Sequence, residues 1–470
     1  MRQSRERHLL YLGIILAVLP VMLLRDFTPS NELRYLSIAD EALRNNTFFI
    51  FTNHGVPYAD KPPLYLWIVM LCRWLTGGHH MWLLSLFSLV PALGIVKTVD
   101  AWTKDEMDSD SHDLARLMTV TSGLFLVSAL TIRMDMLMCL FIVLALRESW
   151  TMYTTGLDER IPIVHRLLFP LLVFLAVFTK GPLGFLIPLL STAVFVFFFN
   201  SRSRKDRFRL FARIWGWRTW LILILLCALW FGAVYAEGGA GYLDNLLFHQ
   251  TFGRAVHAFH HRHAFYYYAL VIWYCLAPWS PLVIVVLILS LKRGVVKSEL
   301  QRFFLTISVT TFLLLSCFSA KLEIYLLPAL PFMVYSAAMF MPRFIKSMSR
   351  ACAIVRGIAV GLLVIVFIGG CALPWANPYI GYGKLCDEAL ETSAEYGITE
   401  YHAWHVKQAG NMDVYLHKPV VEVPDDSIPA TSTDKPFIML TKKKYLNHFS
   451  GLKSQVVGDY AIIVCPALRQ

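Results

Sequence analysis

The chain has 470 residues, of which 57% are hydrophobic and only 16% charged, and its mean hydropathy is +0.54. That composition excludes an ordinary soluble domain, whereas recurring apolar runs of about 20 residues match helices crossing a hydrocarbon core of roughly 30 Å. The net charge of +11 does not argue for a nucleic-acid partner, because lysine and arginine gather in the cytoplasmic loops of membrane proteins.

A basic segment, Met1 to Arg7, leads into the apolar run Leu9 to Leu24. No small-x-small cleavage pattern follows, so this run is expected to stay as a signal anchor with its N-terminus inside. The first loop, Arg25 to Gly78, carries Asn31-Glu32-Leu33-Arg34-Tyr35 and then Tyr58-Ala59-Asp60-Lys61-Pro62-Pro63. Leu33, Leu36, Ala39 and Leu43 recur at helical spacing. They predict a one-sided helix from Thr28-Pro29 to about Arg44, lying on the membrane surface. Asn53-His54-Gly55 reads as a turn, and Pro62-Pro63 opens a short apolar run, Leu64 to Leu75.

Further spans are expected near 79–99, 114–132, 134–150, 165–180, 183–200, 217–236, 266–290, 303–319, 324–342 and 357–373. Basic residues then pool on one side, most densely over Ser201 to Arg218. Counting 64–75 as a span would move that group outside, against the positive-inside rule, so 64–75 is expected to be a juxtamembrane helix. The expected fold is an all-α polytopic membrane protein of about eleven transmembrane helices, N-terminus in and C-terminus out. From Pro374 the composition turns polar. Gly383 to Tyr396 reads as a helix, and Val414 to Val423, Phe437 to Thr441 and Gln455 to Val464 as short strands. The expected domains are therefore a membrane domain over 1–373 and a small outer α/β domain over 374–470. The nine cysteines are scattered without CxxC spacing; Cys386 and Cys465 in the tail are either a disulfide or two free thiols.

Several outer cations stand at the ends of spans. Among them are Arg133 in Arg133-Met134-Asp135, Lys180 in Thr179-Lys180-Gly181-Pro182, and Lys321 in Lys321-Leu322-Glu323-Ile324-Tyr325-Leu326-Leu327-Pro328. A single lysine there snorkels to the headgroups. Several reaching one membrane level, with Lys61 and Arg254, would cradle a phosphate or diphosphate at the water–lipid boundary. The loop Glu237 to Ala264 adds His249, His257, His260, His261 and His263, and Glu237 to Gly241 reads as a hinge. Asp60 with His249 and His261 is a candidate zinc or manganese set, although clustered histidines without fixed spacing are also ordinary surface residues.

These motifs arrive in order: the first-loop pattern, Lys61-Pro62-Pro63, Arg133-x-Asp135, Thr179 to Pro182, Phe265-Tyr266-Tyr267-Tyr268 with Pro278-Trp279-Ser280, and Lys321 to Pro328. Together they resemble the GT-C glycosyltransferases that include the bacterial lipid A aminoarabinose transferases and the protein O-mannosyltransferases. The resemblance runs from the first span to about Pro328, and the tail is similar to that family's small periplasmic domain. It implies a multi-pass enzyme of the bacterial inner membrane that moves a sugar from a polyprenyl-phosphate donor to a lipid or protein acceptor on the periplasmic face. Its partners would be that donor, the acceptor and the membrane lipids, and no cofactor would be required.

By position, Asp60 and Lys61 match the family's acidic-Lys-Pro step. Lys180, Arg254 and Lys321 match its basic positions, and Tyr325 its tyrosine before Leu-Pro. One departure stands out: the family usually has Asp-Glu where this chain has Asn31-Glu32. Asparagine is no base, which leaves Glu32, Asp60 or Asp26 to supply the acid. Lys61, Lys180, Arg254 and Lys321 would stabilise the departing lipid phosphate. A hydroxyl acceptor would need a carboxylate base and a phosphate acceptor none; direct displacement inverts the anomeric carbon. The competing class is a lipid-linked sugar flippase or transporter. Transporters tend to carry internal repeats and charges near the bilayer midplane, and neither is evident here.

Overall fold

The computed structural model describes residues 2–200, 202–247, 263–427, 429 and 431–467. Chain contacts divide the protein into two compact units. One comprises Met1–Tyr58, Leu66–Leu84 and Ile365–Gln470, the other Ala59–Tyr65 and Ser85–Val364.

In the first unit, helix α1 (Arg2–Leu24) is followed by α2 (Glu32–Asn45), a two-residue hairpin of β1 (Thr52–Asn53) and β2 (Val56–Pro57), and most of α3 (Leu64–Thr76). The helix expected from Thr28 begins instead at Glu32. Thr28 is held in the preceding turn, where its backbone N–H and hydroxyl both donate to the Glu32 carboxylate (2.8 and 3.0 Å). A carboxylate in the first helical turn also opposes the positive end of the helix dipole.

The one-sided surface helix proves to be a core helix. Leu33, Leu36, Ile38 and Ala39 have no exposed surface, and Ser37 and Glu41 on other faces are buried as well. What covers α2 includes the tail, where Ser37 Oγ donates to Asp413 at 3.1 Å. The apolar stripe therefore marked a protein contact, which periodicity alone cannot tell from a lipid contact.

The tail is a small α/β body in this same unit. Its strands are β3 (Tyr401–Trp404), β4 (Val420–Val423), β5 (Phe437–Lys442), β6 (Ser454–Val457) and β7 (Tyr460–Cys465), in the order β4-β3-β5-β7-β6. The β3 strand is parallel to β4 and β5, and β7 is antiparallel to β5 and β6. Trp404, Phe437, Met439, Phe449 and Ile463 form its core. The expected strand 414–423 is shorter, because Asp413–Leu416 is a helical turn, and the expected strand 455–464 is the β6–β7 hairpin. Cys386 and Cys465 are both buried free thiols.

The second unit is helical. Its elements include α5 (Ser109–Val120), α6 (Gly123–Leu130), α7 (Asp135–Thr154), α8 (Ile163–Lys180), α9 (Leu183–Phe198), α10 (Arg204–Ile214) and α11 (Trp217–Asp244). Helices over Tyr267–Cys275, Ser280–Lys292, Glu299–Cys317 and Leu330–Phe340 follow, and α4 (Met81–Trp102) and the long helix Met348–Ile380 run into both units. Among the described residues seven helices are long and apolar enough to cross a membrane, or eight if α5 and α6, bent by 60°, form one span. Leu10–Leu24, Leu64–Thr76, Leu183–Phe198 and Ser280–Lys292 are shorter apolar helices. Two of the expected spans are thus interrupted. The span 114–132 breaks before Gly123, and 266–290 breaks around Pro278, where proline removes a backbone donor from the helix ladder. The expected hinge over Glu237 to Gly241 coincides with a break in α11 at Gly239 (φ 69°, ψ −175°).

Candidate active site

The Lys180 motif is a tight reversal between two apolar helices. Lys180 ends α8, where a cation faces the negative end of the helix dipole. Gly181 then adopts φ 112°, ψ −152°, a conformation costly for any residue with a Cβ. Pro182 stands at the start of α9, where its missing N–H costs nothing. Gly184 lets α9 lie against α8, since a Cβ there would come within 2.4 Å of the Ala176 carbonyl carbon.

This reversal delivers the Lys180 ammonium to Asp135, the first residue of α7. Asp135 is 1% exposed, and its Oδ1 accepts from Lys180 Nζ while its Oδ2 accepts from Arg133 Nε at 3.2 Å. Lys180 Nζ also lies 4.8 Å from the centre of the Tyr325 ring, a cation–π distance. Tyr325 belongs to the 3-10 turn Glu323–Ala329 that the Lys321 to Pro328 motif forms. Lys61 acts electrostatically on Asp135 as well.

Asp60, Lys61, Lys180 and Tyr325 share one cavity of about 290 Å³, at the small end of the range for ligand pockets. Its apolar wall includes Trp230, Phe231, Leu246, Leu315 and Phe318. Trp230 is 8% exposed, and its indole N–H is buried with no hydrogen-bond partner among the described residues. A buried donor without an acceptor costs about 1–3 kcal/mol, and Trp230 is one of the residues that line the cavity. The charges on the lining are unbalanced. Lys61 and Lys180 stand there with Asp60, which leaves one net positive charge beside an apolar wall. Such a place suits an anionic head on an apolar tail.

The other residues picked out from the sequence are placed differently. Lys321 is 3% exposed, its ammonium donates to the carbonyls of Phe318 and His263 (the latter at 3.0 Å), and it is not among the residues lining the cavity. Asp26 and Glu32 belong to the first unit. Asp26 accepts from Phe27 N (2.7 Å), Gly383 N (2.6 Å) and the Tyr415 hydroxyl. Glu32 is 1% exposed and takes both Arg25 guanidinium nitrogens at 2.7 Å besides Thr28. Arg254, His249 and His261 lie outside the described residues. Among the described residues no cluster of three or more histidine, cysteine, aspartate or glutamate side chains could hold a metal ion.

Sequence reading left Asp135 and Trp230 out of the site. For Asp135 a signal existed, an acid two residues after Arg133 at the mouth of a span. Trp230 looked like any tryptophan in an apolar run, and only its place in the cavity lining and its partnerless, buried N–H set it apart.

No family model matches the chain. An uncharacterised protein of Aquifex aeolicus (strain VF5) is 27% identical over 337 residues, which are 70% of this chain and 63% of that protein. The chain thus spans just under two thirds of that relative's length. Among solved structures, ArnT from Cupriavidus metallidurans bound to undecaprenyl phosphate aligns over 99% of both chains, with a TM-score of 0.72 and 13% identity. Its apo form aligns with a TM-score of 0.73. The oligosaccharyltransferase AglB from Archaeoglobus fulgidus, in complex with an inhibitory peptide and a dolichol-phosphate, covers 93% of this chain with 70% of its own (TM-score 0.54, 13% identity). Both are GT-C glycosyltransferases. The likeness at such identity is one of fold: the GT-C fold expected from the ordered motifs is the fold of this chain.

Proposed function

We propose that the protein is a membrane glycosyltransferase that takes a sugar from a polyprenyl-phosphate donor. The observation that carries this reading is the cavity of Asp60, Lys61, Lys180 and Tyr325, which sets cations against an apolar wall. The fold supports it, since the solved ArnT structure holds undecaprenyl phosphate and the AglB structure a dolichol-phosphate.

In this reading the donor phosphate lies between Lys61 and Lys180, with Asp135 fixing the Lys180 ammonium. The acceptor oxygen attacks the anomeric carbon as the bond from that carbon to the phosphate oxygen breaks, which inverts the centre. The polyprenyl phosphate leaves with one more negative charge, and the two lysines stabilise the charge as it develops. Asp60 takes the proton of a hydroxyl acceptor, while an acceptor phosphate is already ionised and needs no base. Asp60 is preferred to Asp26 and Glu32 because it lines the cavity, whereas the hydrogen bonds of those two acids fasten the first loop and the tail. Trp230 N–H donates to a sugar or phosphate oxygen. The acceptor is a lipid or a protein.

The test is reconstitution of the full chain in liposomes with a polyprenyl-phosphate-linked sugar and candidate acceptors, with release of polyprenyl phosphate as the readout. Lys61→Ala is expected to lower turnover by about 10²–10³-fold, and Asp60→Asn by about 10²-fold or more with a hydroxyl acceptor. Movement of intact donor across the bilayer with no release of polyprenyl phosphate would make the protein a flippase and overturn the proposal.

A further inference from the structure

A second cavity, of about 500 Å³, lies wholly within the second unit and shares no lining residue with the first. The turn after α7, the start of α8, α10 and the start of α11 enclose it. Five arginines line it, Arg160, Arg166, Arg209, Arg213 and Arg218, against two carboxylates, Asp158 and Glu159. Three positive charges are left over. Lysine and arginine accumulate in a loop for topological reasons alone, but that pressure needs no cavity.

The cavity is built in advance of any ligand. Arg213 latches α10 to the turn after α7, donating to the carbonyls of Thr155 (3.2 Å), Gly156 (2.7 Å) and Glu159 (2.6 Å). The Arg218 guanidinium sits 5.3 Å from the ring of Trp217, which is 69% exposed. From Trp217 onward α11 presents Leu221, Ile224, Leu225 and Leu229 as exposed apolar side chains on a helix apolar enough to span a membrane. A charged basin thus meets a lipid-compatible face, with a tryptophan at the junction as at membrane–water interfaces.

We infer that this arginine basin binds the phosphodiester headgroup of an anionic phospholipid, whose acyl chains run along the exposed face of α11. Arginine matches a phosphate in bidentate fashion, and basic pockets between membrane helices suit anionic headgroups. Free inorganic phosphate shares the headgroup chemistry but would gain nothing from α11.

The experiment titrates the purified full chain in detergent with phosphatidylglycerol, phosphatidylcholine or inorganic phosphate and reads binding by native mass spectrometry. One phosphatidylglycerol per chain is expected to survive delipidation, bound about tenfold or more tighter than phosphatidylcholine. Arg160→Gln with Arg209→Gln should weaken it by at least about tenfold, as both side chains are exposed and supply charge. Lys292→Gln with Lys297→Gln removes equal charge at exposed positions elsewhere and should leave binding unchanged. If the arginine pair does not fold, Arg218→Gln with Trp217→Leu carries the same readout. Equal retention of the two lipids, or equal loss from the lysine pair, would overturn the inference. So would inorganic phosphate that displaces phosphatidylglycerol, because the ligand would then be free phosphate.

Discussion

Lys180 has two duties that a substitution separates. Its side chain is 8% exposed and that of Asp135 is 2% exposed, so Lys180→Ala takes the lysine partner from a buried carboxylate. Breaking a buried pair of this kind costs about 3–5 kcal/mol. Loss of activity in that variant would therefore mix chemistry with unfolding, and thermal melting should fall well below that of Lys61→Ala. Lys180→Met with Asp135→Asn removes both charges and should recover much of the stability while staying inactive. Trp230 offers a milder probe. Trp230→Phe keeps the ring and removes the partnerless donor, so the fold should hold or gain slightly. KM for the donor should rise several-fold, in line with a hydrogen bond of about 1 kcal/mol, and steady-state kinetics on the reconstituted enzyme read both.

At the scale of elements, the α8–α9 reversal depends on two glycines for different reasons. Gly181 has open space around it and a positive φ, so Gly181→Ala strains the backbone by about 1–3 kcal/mol. A Cβ at Gly184 would come within 2.4 Å of the Ala176 backbone, so Gly184→Ala pushes the helices apart, at about 1–3 kcal/mol. Both variants should melt earlier. Only Gly181→Ala changes the residue next to Lys180, and it should reduce donor binding more. Much of this element was legible, since Thr179-Lys180-Gly181-Pro182 stood out in the sequence as a cation at the end of a span. The broken spans were not, because hydropathy averages across Thr121-Ser122 and Pro278 and sees one apolar run where the backbone makes two helices.

Across the whole molecule, the first loop apart from Ala59–Tyr65 shares one unit with the tail, and buried acids help to fasten it. Burial raises the Asp40 pKa, but the hydrogen bond and charge of His79 and the Arg73 guanidinium outweigh it and hold the carboxyl below its ordinary value. Glu41 is likewise held low despite burial, through Thr52 Oγ1 (2.5 Å), Gly55 N (3.0 Å) and His54 N (2.6 Å). A carboxyl whose folded pKa is depressed adds stability above its unfolded pKa and loses it as pH falls through the folded value. The unit should thus keep this contribution at neutral pH and shed it below about pH 4. Asp40→Asn with Glu41→Gln should melt earlier at pH 7 and show a flatter acid limb in melting temperature against pH.

The sequence by itself determined the class of molecule. Hydropathy is a sum over local residues, so apolar runs, polar tail and ordered motifs could be read off the chain, and they led to the GT-C fold. Tertiary structure alone decided which charges meet. Asp60 and Lys61 are some 120 residues from Lys180, and nothing local says that they share a cavity while Lys321 turns to carbonyls. It also decided that α2 is covered by protein instead of lipid, because an apolar stripe records the need for burial and not the partner that meets it.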